Sequence, residues 1–157
     1  MDLIGKTSIH PFLFYSGKIA GYYTWTLLIL MFFKNDLIKR ISCGINDILS
    51  FILLIIASLF IIISLINLGR STRLGIPSEE TVLKTGGLYK YSRNPMYVGF
   101  NLLTITSMIY TLNLWIILPG LYSIIIYHFI IRGEENFLKD RFGESYQTYL
   151  TKVRRYI

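Results

Sequence analysis

The sequence has few of the residues that build disulfide-bonded, metal-binding or soluble proteins. Its single cysteine, Cys43, rules out an internal disulfide or a cysteine metal cluster. With only His10 and His128 besides, we expect no metal site. Charged residues make up 16 % of the chain, against about 25 % in soluble domains. The polar first residues, 1–11, do not predict a cleavable signal peptide.

Apolar residues, by contrast, are abundant and come in long runs. They make up 53 % of the chain, and four runs predict membrane spans: about 12–33, 48–68, 95–110 and 114–131. In lipid such a run must be helical, because only a helix satisfies all of its own backbone hydrogen bonds. The sequence therefore predicts an all-α, multi-pass integral membrane helical bundle of about four spans, in one domain over residues 1–157.

The basic residues flank the apolar runs. They are 16 Lys and Arg against 9 Asp and Glu, which gives a net charge of +7. This placement indicates attraction to anionic lipid headgroups, and not nucleic acid as a partner. The basic loop 69–94 is expected to be cytoplasmic. With four spans, both termini share the side of this loop, so we expect a cell-membrane protein whose site faces the cytoplasm.

The tail from Arg132 to Ile157 has the pattern of an amphipathic helix. Apolar and aromatic residues recur in it at helical spacing; they are Leu138, Phe142, Tyr146, Tyr149 and Val153. We expect Gly143 to break this helix, and the tail to lie on the membrane surface instead of crossing it. Its last basic residues, among them Arg155, are expected to contact lipid phosphates.

A few polar or small residues interrupt the apolar runs. Lys18 could extend along its helix to the membrane interface, or its charge could turn inward toward a site. Gly17 and Gly21 form a small-xxx-small pair that lets another helix approach closely. Ser64 and Asn67 share a face of the second run, where we expect them to form hydrogen bonds within their own helix.

The stretch 85–99 crowds glycine, arginine, asparagine, proline and tyrosine between apolar runs. Its Gly86-Gly87 pair predicts a turn that lets the backbone approach a ligand closely. Asn94 and Pro95 are the residues preferred at a helix N-cap and first position. The free amides of that helix start, together with the charge of Arg93, favour an anion.

Polar residues also recur on the helices that follow. Tyr97 and Asn101 share a face with Asn94, and we expect a functional role because unpartnered polar groups are costly at membrane depth.

At the end of the fourth run, His128, Arg132 and Glu135 share a face. Glu134 and Glu135 could be a solvated helix end paired with Arg132, or they could receive an ammonium group. An anion site beside a carboxylate pair fits an amino-acid zwitterion, such as the methionyl end of S-adenosylmethionine.

Two motifs resemble a known family. Gly87-Leu88-Tyr89 followed by Arg93–Gly99 (RNPMYVG) resembles the signature of the isoprenylcysteine carboxyl methyltransferases and the related phospholipid methyltransferases. Glu134-Glu135 with the aromatic tail that runs to Val153 resembles the family's second half. The two motifs stand in the family's order, separated by a helical hairpin, and the resemblance covers roughly 69–155.

The resemblance implies a multi-pass membrane enzyme that takes a methyl group from S-adenosylmethionine. The acceptor would be lipophilic and reach the site from the bilayer; it could be a carboxylate, thiol or amine, with a prenylcysteine-like carboxylate as one candidate. The cofactor segments would be 83–99 and 128–149. The implied catalytic residues are Arg93 and Glu135. The implied cofactor-binding residues are Gly87, Leu88, Tyr89, Arg93, Asn94, Tyr97, Glu134 and Glu135. The substrate-binding residues are Asn101, His128 and Arg132.

The sequence departs from the family at Asn94, where the isoprenylcysteine enzymes carry histidine. Asparagine cannot act as a general base. A carboxylate or thiolate acceptor needs no base, whereas an amine or hydroxyl would need one, such as Glu135, His128 or a tyrosine. Two alternatives stay open: an NADPH-dependent sterol-type reductase, which would not be expected to keep Glu134-Glu135, and a non-enzymatic membrane protein.

Overall fold

Long helices make up most of the described part of this protein. The computed structural model describes residues 7–33, 40–41, 43–69 and 82–157. In those residues the elements, in chain order, are α1 (Pro11–Phe33), α2 (Ile45–Leu68), a 3₁₀ turn (Gly87–Lys90), α3 (Pro95–Thr111) and α4 (Leu114–Lys152). That described part contains no strand, only an isolated parallel β-bridge between Ser92 and Arg154. The all-α prediction is confirmed.

Two helices, α2 and α4, are long and apolar enough to cross a membrane. The side chains of α2 fit lipid surroundings, since Ile48, Ile62 and Ile66 are all more than half exposed. The helix α3 has 17 residues, and α1 carries Lys18 within its apolar sequence. That all four helices cross the bilayer therefore stays a prediction.

Some predictions concern residues outside the described ranges. Residues 70–81, within the basic 69–94 loop, are among them, as are residues 34–39 of the connector between α1 and α2. The cytoplasmic placement of that loop, and of the site with it, stays a prediction.

The glycine pair of α1 packs against α4, as its spacing predicts. A Cβ atom at Gly21 would lie 2.8 Å from Ser123 Oγ and from the Tyr127 hydroxyl oxygen, and one at Gly17 would overlap Ile126. The two helices therefore approach more closely than any larger residue would allow at these positions. This contact places α1 beside the part of α4 that precedes the paired glutamates.

A buried cluster of side chains from α1, α3 and α4 joins these helices beneath the paired glutamates. It consists of Phe14, Tyr97, Ile126, Tyr127, Ile130 and Ile131. Tyr156, near the C-terminus, packs against its edge. The cluster holds the start of α3 beside α4.

The helix α4 does not end at Ile131, where the predicted span ends. It continues to Lys152, with a non-helical backbone at Gly143 (φ 50°, ψ −125°). Residues 132–142 are mostly good helix formers, and the one glycine among them, Gly133, is tolerated within a helix. The break predicted at Gly143 is present, and Glu134 and Glu135 lie within a helix.

Candidate active site

Three stretches of chain meet where the apolar part of α4 ends. The first is the 3₁₀ turn with the start of α3, the second is the glutamate pair of α4, and the third is the C-terminal segment 153–156. Pro95 occupies the first turn of α3, as predicted, and Asn94 is its N-cap. The Asn94 side chain does not cap the helix. It donates instead to Glu135 Oε1 (3.1 Å), which ties the helix start to α4.

Glu135 is enclosed by donors. It is 5 % exposed. Its Oε1 accepts from Arg93 Nε at 3.0 Å, and its Oε2 accepts from Arg155 Nε at 2.9 Å and Nη2 at 2.8 Å. Burial alone would raise the pKa of this carboxyl group, but the hydrogen bonds and charges of Arg155 and Arg93 outweigh it, so the pKa lies below its ordinary value. Glu135 is therefore a carboxylate with both oxygens in use.

Arg93 is also committed to the protein itself. Its Nη1 donates to the carbonyl of Val153 (2.6 Å) and, at 3.5 Å, to that of Leu150. Its backbone amide donates to the carbonyl of Arg154 (2.9 Å). The anion-binding capacity expected of Arg93 is thus largely used to join α4, the start of α3 and the C-terminal segment. The ion pair considered between the glutamates and Arg132 is made by Arg93 and Arg155 instead.

Glu134, the adjacent carboxylate, has different surroundings. It accepts a hydrogen bond from the hydroxyl of Tyr97 at 2.8 Å, and Tyr97 is 7 % exposed. Burial raises the pKa of Glu134 from an ordinary 4.5 to about 7, although the Tyr97 hydrogen bond and the charge of Lys18 act to lower it. Glu134 is therefore poised between its charged and neutral forms near neutral pH.

The charge of Lys18 acts to lower the pKa of Glu134. This favours the interpretation that Lys18 turns inward toward a site and does not extend to the membrane interface. Its side chain is partly buried, and its Nζ lies 4.0 Å from the centre of the Phe14 ring, within the range of a cation–π contact. Phe14 belongs to the buried cluster together with Tyr97. The lysine thus reaches the site from α1, a helix in which the family resemblance offers no motif.

The glycine turn leads into a buried tyrosine. Gly87 has φ 59°, and a side chain there would overlap Asn67 of α2. Tyr89 is 9 % exposed, and its carbonyl accepts from the Tyr149 hydroxyl at 2.5 Å. Burial, and then the negative charge of Glu134, raise the pKa of Tyr89 to about 12, so it is a neutral phenol. Leu88, between them, is partly buried.

Two polar atoms of α2 near this turn are without partners. Among the described residues, neither Ser64 Oγ nor Asn67 Nδ2 has a hydrogen-bond partner, although both are buried. The hydrogen bonds expected within α2 are therefore not made by these atoms. A buried donor without a partner is costly, and Asn67 Nδ2 lies beside the glycine turn.

An apolar groove of about 410 Å³ lies beside the site. It is lined by Asn101, Ile124, Ile125, His128, Phe129 and Tyr156. His128 Nδ1 shares a hydrogen bond with the Tyr156 hydroxyl (2.7 Å), and Asn101 Oδ1 is buried with no partner in the described part of the chain. Two of the three predicted substrate residues, Asn101 and His128, thus meet in one groove, whereas Arg132 is exposed and does not line it.

The C-terminal segment is the part of the site that the sequence did not predict. Arg155 was expected at lipid phosphates but binds Glu135, and Tyr156 was not singled out. Ser92, also missed, donates to the carbonyl of Arg155 at 3.3 Å and forms the bridge with Arg154. Pairing between residues about sixty positions apart leaves no local pattern, so only the basic character of this segment could have drawn attention to it.

Comparison with known proteins agrees with the two motifs. The chain belongs to the phospholipid methyltransferase family, whose model matches residues 45–145. It is similar to two enzymes named protein-S-isoprenylcysteine O-methyltransferase: 34 % identical over 79 residues to that of Schizosaccharomyces pombe, and 33 % over 76 residues to that of Dictyostelium discoideum.

Each of these matches covers 48 % of this chain, and they cover 33 % and 32 % of the respective relatives. The matched stretch therefore spans about a third of each curated relative's length. No solved structure matches the chain.

Proposed function

We infer that this protein is an S-adenosylmethionine-dependent methyltransferase that acts in a membrane on a lipophilic acceptor. The observation that carries the proposal is the meeting of the two family motifs. Tyr97 of the first motif contacts Glu134 of the second at 2.8 Å, and Arg93 contacts Glu135 at 3.0 Å. Four of the residues that the resemblance assigns to the cofactor thus meet in two pairs, although about forty positions separate the partners in the chain.

The chemistry of this cluster fits S-adenosylmethionine. Glu134 offers a carboxylate to an ammonium group, Tyr89 and Tyr97 offer aromatic faces to a cation, and Asn67 Nδ2 is a buried donor without a partner in the described residues. The glycine turn at Gly87 keeps the backbone close to this donor. When bound, the cofactor supplies a methyl group on a positively charged sulfur, which a nucleophile can displace directly.

Little further chemistry is then required of the protein. Its residues must hold the acceptor in line with the methyl group and exclude water. In this arrangement Arg93 and Glu135 shape the site by joining its three stretches of chain. Glu135 is a poor general base because two arginines stabilise its charged form.

The groove beside the site is the proposed acceptor site. Three of its lining residues are Ile124, Ile125 and Phe129, which suit a hydrocarbon chain that enters from the bilayer. The volume of about 410 Å³ lies within the range of small-molecule sites. A carboxylate or thiolate acceptor would need no base, and an amine would find His128 in the groove wall. Four spans and a site facing the cytoplasm complete the proposal.

Calorimetric titration of the purified protein in lipid nanodiscs tests the function. S-adenosylmethionine should bind with a Kd in the micromolar range, about 10⁻⁶ to 10⁻⁵ M, and NADPH should not bind. Binding of NADPH alone would favour the reductase, and binding of neither would favour a non-enzymatic protein. A screen of prenylated carboxylates, thiols and lipid amines with methyl-labelled cofactor would then identify the acceptor.

A further inference from the structure

The amino-acid end of S-adenosylmethionine carries one negative and one positive charge. Its receptor therefore needs one group of each sign that can make further hydrogen bonds. Glu135 and Arg93 have little such capacity left. Both oxygens of Glu135 accept hydrogen bonds, and Arg93 donates through Nε and Nη1 to protein groups. Arg155 brings a second positive charge to the same carboxylate. A ligand carboxylate or ammonium would have to break this network to bind there.

A second pair of opposite charges lies next to it. The helices α1 and α4 run antiparallel, because Gly133 packs on Ser8 while Gly17 packs on Ile126. Lys18 lies just beyond the Gly17–Ile126 contact on α1, and Glu134 lies just beyond the Gly133–Ser8 contact on α4. Side chains in a helix point back toward its N-terminus, so in this antiparallel pair the side chains of Lys18 and Glu134 extend toward each other.

The contacts of Lys18 agree with this direction. Its Nζ stacks over the ring of Phe14, one turn earlier in α1. Phe14 packs with Tyr97 and with Ile130 of α4, and Glu134 follows Ile130 by one helical turn. In the described part of the chain, no ion pair within 4.0 Å joins Lys18 to Glu134. The two charges thus face the same region without neutralising each other by direct contact.

We propose that Lys18 and Glu134 form the receptor for the amino-acid end of S-adenosylmethionine, with Lys18 binding its carboxylate and Glu134 binding its ammonium group. This proposal rests on the proposed function. Tyr97 orients Glu134 through its hydroxyl, while Glu135, Arg93 and Arg155 act as positioning residues. The first helix, whose sequence carries no family motif, thereby supplies a cofactor-binding residue.

Neighbouring charges support this assignment. Glu135 lies between two arginines, so its surroundings carry excess positive charge, and a ligand ammonium would be repelled there. Among the described residues, the hydroxyl of Tyr97 is the one direct hydrogen-bond partner of Glu134, so further lone pairs of this carboxylate can accept from an ammonium group. Lys18 has three N–H donors, and its Nζ contacts the aromatic face of Phe14.

Binding measurements with ligand analogues test each contact separately. The probes are S-adenosylmethionine, its decarboxylated analogue, its analogue without the amino group, and methylthioadenosine, which has no amino-acid end. The affinity of Lys18→Met for S-adenosylmethionine should be lower by about tenfold or more, and this variant should no longer distinguish the cofactor from its decarboxylated analogue. Glu134→Gln should lose affinity similarly and no longer distinguish it from the analogue without the amino group.

Matched controls come from exposed residues of α4. Lys139→Gln and Glu144→Gln should bind all four probes as the wild type does, since both side chains are exposed. Lys18→Arg keeps the charge and should restore most of the affinity. If Lys18→Met fails to fold, the comparison of Lys18→Arg and Lys18→Gln across the same probes takes its place.

The outcomes separate this inference from the proposed function. If the wild type binds neither S-adenosylmethionine nor methylthioadenosine, the proposed function is wrong. If the wild type binds the cofactor and Lys18→Met keeps its preference over the decarboxylated analogue, the function stands and the role of Lys18 is wrong. If only Arg93→Gln loses the preference for S-adenosylmethionine over its decarboxylated analogue, then Arg93, and not Lys18, binds the carboxylate of the cofactor.

Discussion

Glu134 and Glu135 are neighbours in the sequence and opposites in their surroundings. Glu135 is buried between Arg93 and Arg155 and keeps a low pKa, whereas Glu134 accepts from one neutral donor in the described part of the chain and has a raised pKa. Consecutive residues of a helix point about 100° apart, so one glutamate can face the C-terminal segment while the other faces α1. One carboxylate of the pair therefore holds the site together, and the other has capacity for a further hydrogen-bond partner.

Removal of the charge of Glu135 should have the largest effect on stability. Glu135→Gln leaves two arginines without their shared carboxylate, and breaking a buried ion pair costs about 3–5 kcal/mol. Glu134→Gln should cost far less, since it removes no ion pair. Chemical unfolding of both variants in the same detergent measures the difference, with the exposed Glu144→Gln as a control expected within about 0.5 kcal/mol of the wild type. Equal losses in the two variants would contradict the division of roles.

The pH dependence of stability should also distinguish the two carboxylates. The pKa of Glu134 is raised from 4.5 to about 7 in the folded protein, so the folded state binds more protons than the unfolded state between these values. The stability of the wild type relative to Glu134→Gln should therefore be highest below about pH 4.5, and should fall as the pH rises through 7. At 1.36 kcal/mol per pKa unit, the difference between 4.5 and 7 corresponds to a fall of roughly 3 kcal/mol.

Glu135 should show the opposite trend, because its pKa in the folded protein is lowered. Its contribution is present above its unfolded pKa and lost as the pH falls through its folded pKa. Unfolding curves of the wild type and the two glutamine variants from about pH 2 to about pH 8 test both trends. Parallel curves for the wild type and Glu134→Gln over this range would show that Glu134 has an ordinary pKa.

Arg155 provides a smaller test of the same comparison. Its side chain is about one-third exposed, so Arg155→Met should cost about 1–2 kcal/mol, in the range of a partly exposed hydrogen bond to a charged group. Arg154→Met, at the exposed neighbouring position, removes the same charge without touching Glu135 and should cost much less. If both variants lose the same amount of unfolding free energy, the contribution of Arg155 to stability comes from lipid headgroups and not from its ion pair with Glu135.

The helices and the two motifs could be predicted from local sequence patterns. Contacts between residues that are far apart in the chain could not. The apolar runs, the helix start at Pro95 and the break at Gly143 are each encoded within a few residues, and the structure contains them. The different surroundings of Glu134 and Glu135 were not predictable, because they depend on the contact of the C-terminal segment with Ser92 and on the packing of α1 against α4. Gly17 and Gly21 indicated that some helix approaches closely, but not which one.

The smallest expected effect comes from the hydrogen bond that orients Glu134. Tyr97→Phe keeps the ring in the buried cluster and removes only the hydroxyl, so it should cost about 1 kcal/mol. The hydrogen bond from Tyr97 lowers the pKa of Glu134, so its loss should raise that pKa further above 7. The fall in stability measured against the double variant Tyr97→Phe/Glu134→Gln should therefore shift to higher pH. Tyr127→Phe is the matched control, since Tyr127 lies in the same cluster but is not a partner of Glu134. An unchanged midpoint in Tyr97→Phe would mean that Tyr97 does not orient Glu134, and the contrast between the two glutamates would then rest on the arginines alone.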